Sequence, residues 1–244
     1  MGTSKAYGGL RGKPNWGTLS RAVSRAVGDN HPTPKSLNRV MSGLVSYMGG
    51  SYAVSVGHSV GGKSGIRTAQ RLGAFLAAVQ QNGFVTAVTA LPAGERIPDS
   101  TYAINVILEA CVEKAGLLDD IAASAALRDL LEDIEAGVGA LEELGDKFEA
   151  SIRNYGVEEI LVRYFAFYLY EHLCTDFYEK LIKDKGIRET ELFYADLKDF
   201  ILERTKTVSK HRDLTHVEWL TDEGRELMQE ILKDTLKAFE GYED

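Results

Sequence analysis

Residues 157–183 read VEEILVRYFAFYLYEHLCTDFYEKLIK, and this run decides the fold. Val157, Ile160, Leu161, Tyr164, Phe165, Tyr168, Leu169 and Leu173 recur at steps of three and four. That spacing lines one face of an α-helix; a strand would alternate instead. Tyr164, Phe165, Phe167, Tyr168, Tyr170, Phe177 and Tyr178 thicken the stripe. Aromatics at helical spacing mark a core helix rather than a base-stacking surface.

The same period extends outward. Downstream of Asp99 it predicts helices over about 99–115, 118–135, 137–154, 157–183, 190–207 and 217–240. Upstream it predicts shorter helices over 18–27, 34–48 and 66–81. GGSYAVSVGHSVGGKSG (49–65) reads as a Gly/Ser-rich connector, and YAVSV within it has strand character. FVTAVTALPAGERIP (84–98) fits a short strand or a helical turn and loop. Residues 1–17, MGTSKAYGGLRGKPNWG, hold five glycines and Pro14, too much backbone freedom for a helix. The expected fold is mainly α: a helical bundle behind an extended Gly-rich N-terminal tail. Three regions follow: the tail 1–17, a small basic helical region 18–98, and an acidic α-helical domain 99–244.

The chain has 244 residues, 44% apolar, enough for one sizeable core. No run of about 18 apolar residues predicts a membrane span. The N-terminus lacks the apolar stretch of a secretory signal, and Ala6 stands where a myristoylation signal needs Ser or Thr. Cys111 and Cys174 sit in apolar helical contexts and read as reduced core cysteines of a cytoplasmic protein.

The net charge of −8 hides an asymmetry. Residues 1–71 carry ten Lys/Arg and one acid, Asp29; residues 72–244 carry eighteen Lys/Arg and thirty-five acids. Lys63, Arg67 and Arg71 repeat every four residues along one helix side. Together with Arg11, Lys13, Arg21 and Arg25 they form a candidate basic patch. Such polarity fits nucleic acid, an acidic partner, or the acidic half of the same chain.

GHSVGGKS (57–64) matches the phosphate-binding pattern G-x-x-x-x-G-K-[ST], with Gly57, Gly62, Lys63 and Ser64 at the fixed positions. A true P-loop follows a strand of a parallel sheet and is completed by a carboxylate after another apolar strand. No convincing strand follows residue 99, and the nearest carboxylate candidate, AGLLDD (115–120), sits between helices. The motif therefore reads as a connector whose Lys63 begins the basic face. P-loop nucleotide binding through 57–64 stays as a second alternative, behind nucleic-acid binding by the basic third.

HRDLTH (211–216) places His211, Asp213 and His216 close together, without a nearby Cys or third His, so it reads as a polar interhelical loop. His172, beside Cys174 on the aromatic helix, reads as core; His31 and His58 fall in loops. No catalytic constellation, metal set or cofactor site emerges, and no cofactor is expected.

MGTSKAYGG (1–9) resembles the start of the QatB family, a component of bacterial Qat antiphage defence systems. GGKSGIRTAQRLGAFLAAVQQNGF (61–84) is similar to that family's basic helix, and LLDDIAASAALRDLLEDI (117–134) to its Asp- and Ala-rich helix. The family tail continues with a Pro-rich apolar stretch, where this chain has LRGKPNWG with one proline. The resemblance implies a non-enzymatic subunit working beside an ATPase, a QueC-like enzyme (QatC-type, similar to 7-cyano-7-deazaguanine synthases) and a TatD-like nuclease. It implies that the tail enters the QueC-like enzyme. Gly2, freed by loss of Met1, would there accept a 7-deazaguanine-type base. Thr3, Ser4, Tyr7, Gly8 and Gly9 would be its recognition positions.

Overall fold

The computed structural model describes residues 15–28, 32–55, 62–94, 96–112 and 118–240. Among the described residues the structure is helices and connecting turns, with no strand. In chain order these are α1 (Trp16–Ala26), α2 (Pro34–Met48), α3 (Gly50–Ser55), α4 (Lys63–Asn82), α5 (Phe84–Thr89), α6 (Ser100–Cys111), α7 (Leu118–Glu135), α8 (Leu141–Lys185), α9 (Ile187–Thr205) and α10 (Asp222–Lys237).

Helix α8 is the centre. Every residue of its predicted stripe is buried, and so are Ala166 and Phe167 between them. A helix apolar all round must be enclosed, and α7, α9 and α4 pack on it most extensively, with α10 and α5 adding to them. The buried side chains form one cluster that draws on helices from both sides of residue 98. The sequence predicts a break between residues 154 and 157. The structure puts it at Gly156, whose φ of 79° and ψ of 162° suit glycine and interrupt the helix.

Local signals set several ends. The Thr33 side chain accepts from the Ser36 N–H ahead of Pro34 in the first turn of α2, and Gly49 closes that helix with φ 101°. Asp99 accepts from the Tyr102 N–H at 2.8 Å to open α6.

Two elements differ from expectation and a third takes the helical one of its two readings, each through a distant partner. Tyr52 and its neighbours lie in helix α3, not a connector or strand: the Ser51 N–H and hydroxyl donate to the Glu240 carboxylate at 2.6 and 2.7 Å. The stretch after Gly83 is helix α5, whose first N–H donates to Glu149 at 3.0 Å while Phe84 buries against Phe148 and Phe75. Helix α1 begins at Trp16 rather than residue 18, because Trp16 is buried in the core. Removing that ring from water outweighs the helix cost of Gly17, about 1 kcal/mol.

The loop between α9 and α10 is held as expected of a polar connector. Buried Glu158 accepts from the Lys210 and Arg212 N–H groups at 3.1 and 2.6 Å and from the Arg212 guanidinium, which also reaches Asp234 at 2.7 Å. Further along this loop Trp219 presses on α4. A Cβ placed on Gly73 would lie 2.1 Å from its ring.

Candidate functional site

Two places gather the residues that the sequence points to. The first is where residues 1–14 join the body. Asn15 adopts the left-handed conformation (φ 65°) and its side-chain amide donates to the Ser46 carbonyl at 2.9 Å. Its own carbonyl accepts from Thr18 and Leu19, both at 3.1 Å, starting α1. Trp16 then lies flat on Phe177 of α8, with ring centroids 4.7 Å apart and planes 9° apart, and tilts against Tyr47 of α2 at 5.5 Å. Burial, with the Asp176 carboxylate adding to it, pushes the Tyr47 phenol up to about 12. Two successive residues thus fix both the position and the direction of the chain where the tail begins.

The second is the N-terminus of α4. The Gly62 N–H donates to the Tyr168 hydroxyl at 2.9 Å and to Asp119 at 3.3 Å. The Ser64 N–H donates to the other Asp119 oxygen at 2.9 Å, and its hydroxyl donates to Asp120 at 2.5 Å. Tyr168 donates to Asp119, and His172 Nε2 lies 3.2 Å from the same carboxylate oxygen. Burial alone would raise the Asp119 pKa. The hydrogen bonds from His172, Tyr168 and Ser64 outweigh it and hold the carboxyl well below the usual range. Burial beside that charge pushes the Tyr168 phenol far up.

This cluster gives the described end of GHSVGGKS, residues 62–64, a physical meaning. In a P-loop, helix N-terminal amides cradle a phosphate. Here Gly62 and Ser64 offer such amides, and Asp119 supplies the anion from within the chain. The AGLLDD carboxylates do reach Ser64, from the first turn of α7 rather than from a strand. Gly57, His58 and Gly61 lie outside the described residues. Close packing at Gly65 completes the arrangement: a Cβ there would meet the Tyr168 ring at 2.7 Å.

The remaining predicted residues separate. Gly2, Thr3, Ser4, Tyr7, Gly8, Gly9, Arg11 and Lys13 lie outside the described residues. Lys63 and Arg67 are exposed on α4 and Arg71 is half-buried. Arg21 and Arg25 are exposed on α1. His211, Asp213 and His216 sit in the α9–α10 loop, where Asp213 accepts from Thr215. Among the described residues no three His, Cys, Asp or Glu side chains converge as metal ligands. Both cysteines are unbridged, and burial pushes the Cys111 thiol up to about 12.

Sequence reasoning treats His172 as core and passes over Asp119, Asp120 and Tyr168 as a group. The available signal is Tyr168 and His172 one turn apart on α8, facing a helix that opens with two aspartates.

A family model described as "Qat anti-phage system associated protein QatB" matches residues 60–239. The chain belongs to the QatB family. The match takes in both the α4 N-terminal cluster and the whole of α8, and begins after MGTSKAYGG. This QatB-family chain is thereby a protein associated with the Qat anti-phage system. No curated protein and no solved structure matches it. Among the described residues no helix is long and apolar enough to cross a membrane.

Proposed function

We propose that this chain is a non-enzymatic subunit of the Qat assembly that presents its N-terminal segment to a partner enzyme. The partner is the QueC-like enzyme, and the segment is its macromolecular substrate. Gly2, bared by removal of Met1, is the acceptor: its amine attacks the activated acyl carbon of a 7-deazaguanine-type base, forming an amide. As the amide forms, the bond to the activating group breaks, that group leaves with the electron pair, and the amine gives up its proton. An α-amine with a pKa near 8 is partly unprotonated at neutral pH, and glycine offers the least hindered one. Thr3, Ser4 and Tyr7 supply hydrogen-bonding groups, while Gly8 and Gly9 let the backbone pass a narrow channel.

The observation that carries this reading is the root. Trp16 is buried on Phe177, while residues 1–14 hold four glycines and few side chains that a core would take. Fourteen residues reach at most about 46–50 Å when extended, far enough to enter a neighbouring protein's cleft. Ordering a segment in a cleft costs entropy, and the helical body offers a second surface to offset that cost. The ATPase and the TatD-like nuclease of the same system are further candidate partners.

Intact-mass measurement of the chain after co-expression with the rest of the system tests the reading. A mass increase on the N-terminal peptide, abolished by Gly2→Pro, is expected. An unmodified N-terminus, with no complex on size exclusion, overturns it.

A further inference from the structure

The tail root lies within a cationic surface that the linear sequence does not reveal. Residues 1–28 contain five Lys/Arg and no acid. Within that stretch α1 displays Arg21 and Arg25 one turn apart, both exposed. The last turns of α8 run alongside. The Lys180 amine lies 3.4 Å from the Ser20 hydroxyl of α1, and the Lys185 amine would lie 3.7 Å from a Cβ on Gly28. Phe177, under Trp16, is three residues before Lys180, so root and cations share one end of α8.

None of Arg21, Arg25, Lys180 and Lys185 makes an ion pair among the described residues. Arg21 donates only to the Gly17 carbonyl, at 3.1 Å. Exposed Glu179 and Asp184 interrupt the surface and leave it in cationic excess, with Lys183 adding to it. The chain beyond residue 71 carries an excess of acids, so this end stands out from an acidic body, as does the exposed Lys63 and Arg67 side of α4.

We infer that the α1 face and the adjoining end of α8 are a docking surface for an acidic protein surface, the rim of the cleft that takes the tail. This rests on the reading proposed above and adds the chemistry of the partner's rim. Cations flanking a tethered tail steer the partner toward the root and hold it while the tail threads. A basic rim would be repelled here and attracted to most of the remaining surface.

The full chain is titrated against the purified QueC-like enzyme in 50 to 500 mM NaCl. Two double variants are compared, Arg21→Glu with Arg25→Glu, and Lys180→Glu with Lys185→Glu. Arg225→Glu with Lys237→Glu on α10 is a control with the same charge change. Each root variant is expected to weaken binding about tenfold or more at low salt and to flatten the salt dependence, and the control to bind within about twofold of the unaltered chain. Melting curves report folding, and Arg21→Gln with Arg25→Gln replaces any reversal that fails to fold. Root variants that bind like the control overturn the inference and leave the proposed function standing. If the unaltered chain forms no complex, both fall. A labelled 30-base-pair DNA is the third arm. DNA binding that the root variants abolish, with enzyme binding untouched, reassigns the surface to nucleic acid and overturns the inference.

Discussion

Trp16 stacks on Phe177 across 161 positions of sequence, at 4.7 Å between ring centroids. The contact ties the first helix to the central one and fixes where the N-terminal segment leaves the body. Trp16→Ala empties a buried aromatic site and is expected to cost about 3 kcal/mol, the low end for such truncations because α1 is peripheral. Trp16→Phe retains stacking and costs less. Chemical denaturation measures both, and amide exchange localises the loss to α1 and α2.

Gly73 lies directly under the Trp219 ring, which a Cβ at that position would meet at 2.1 Å. Gly73→Ala drives a methyl into the indole and is expected to destabilise by about 1–3 kcal/mol, as overpacking does. Trp219→Ala alone also destabilises, by opening a cavity. The double variant should then be clearly less damaging than the two costs added together, since the clash is gone. Equilibrium unfolding of the three variants decides; strict additivity refutes the contact.

The Asp119 cluster makes an acid-limb prediction. Its folded pKa is depressed, so its contribution is present above the unfolded value, near 4, and is lost as pH falls through the folded one. Asp119→Asn removes a charged acceptor shared by Gly62, Ser64 and Tyr168, and should cost about 2–3 kcal/mol at pH 7. Below pH 4 the gap to the unaltered chain should narrow. Thermal melts from pH 7 to pH 3 measure it.

Glu171 works in the opposite direction. Burial, then the nearby Asp129 carboxylate, raises its carboxyl to about 7, with Lys198 opposing. Lys198 bridges α9 to Asp129 of α7 at 2.7 Å and lies over the Phe167 and Tyr170 rings. The raised pKa gives stability that is complete below the unfolded value, near 4.3, and declines as pH rises through 7. Glu171→Gln should therefore stabilise at pH 8, on the order of 1 kcal/mol given the partial exposure, and do nothing at pH 4. Melts at both values check it.

Most of the helices were legible because the signals are local. The stripe from Val157 to Leu173 needs only its own period, and Pro34 to Gly49 carries both of its stops. Helix α3 was not legible and α5 was left open between strand and helix, because their first N–H groups are satisfied by Glu240 and Glu149, 189 and 65 positions away. Asp119 and His172 escaped for the same reason: 53 residues separate them, and nothing in either neighbourhood announces the other. Gly62, Lys63 and Ser64 show the reverse. Their spacing is legible and suggests a phosphate, whereas the anion that the Gly62 and Ser64 N–H groups meet is a side chain.

The glycine that breaks α8 has a consequence of length. A straight helix of 45 residues would run about 68 Å. A compact chain of 244 residues has a radius of gyration of about 18 Å, hence a diameter of roughly 46 Å. An unbroken rod would overshoot the body by about a third of its length and strand aromatic turns in water. By breaking the helix at Gly156, one position divides the longest element into two shorter segments, of which the second buries its aromatic stripe.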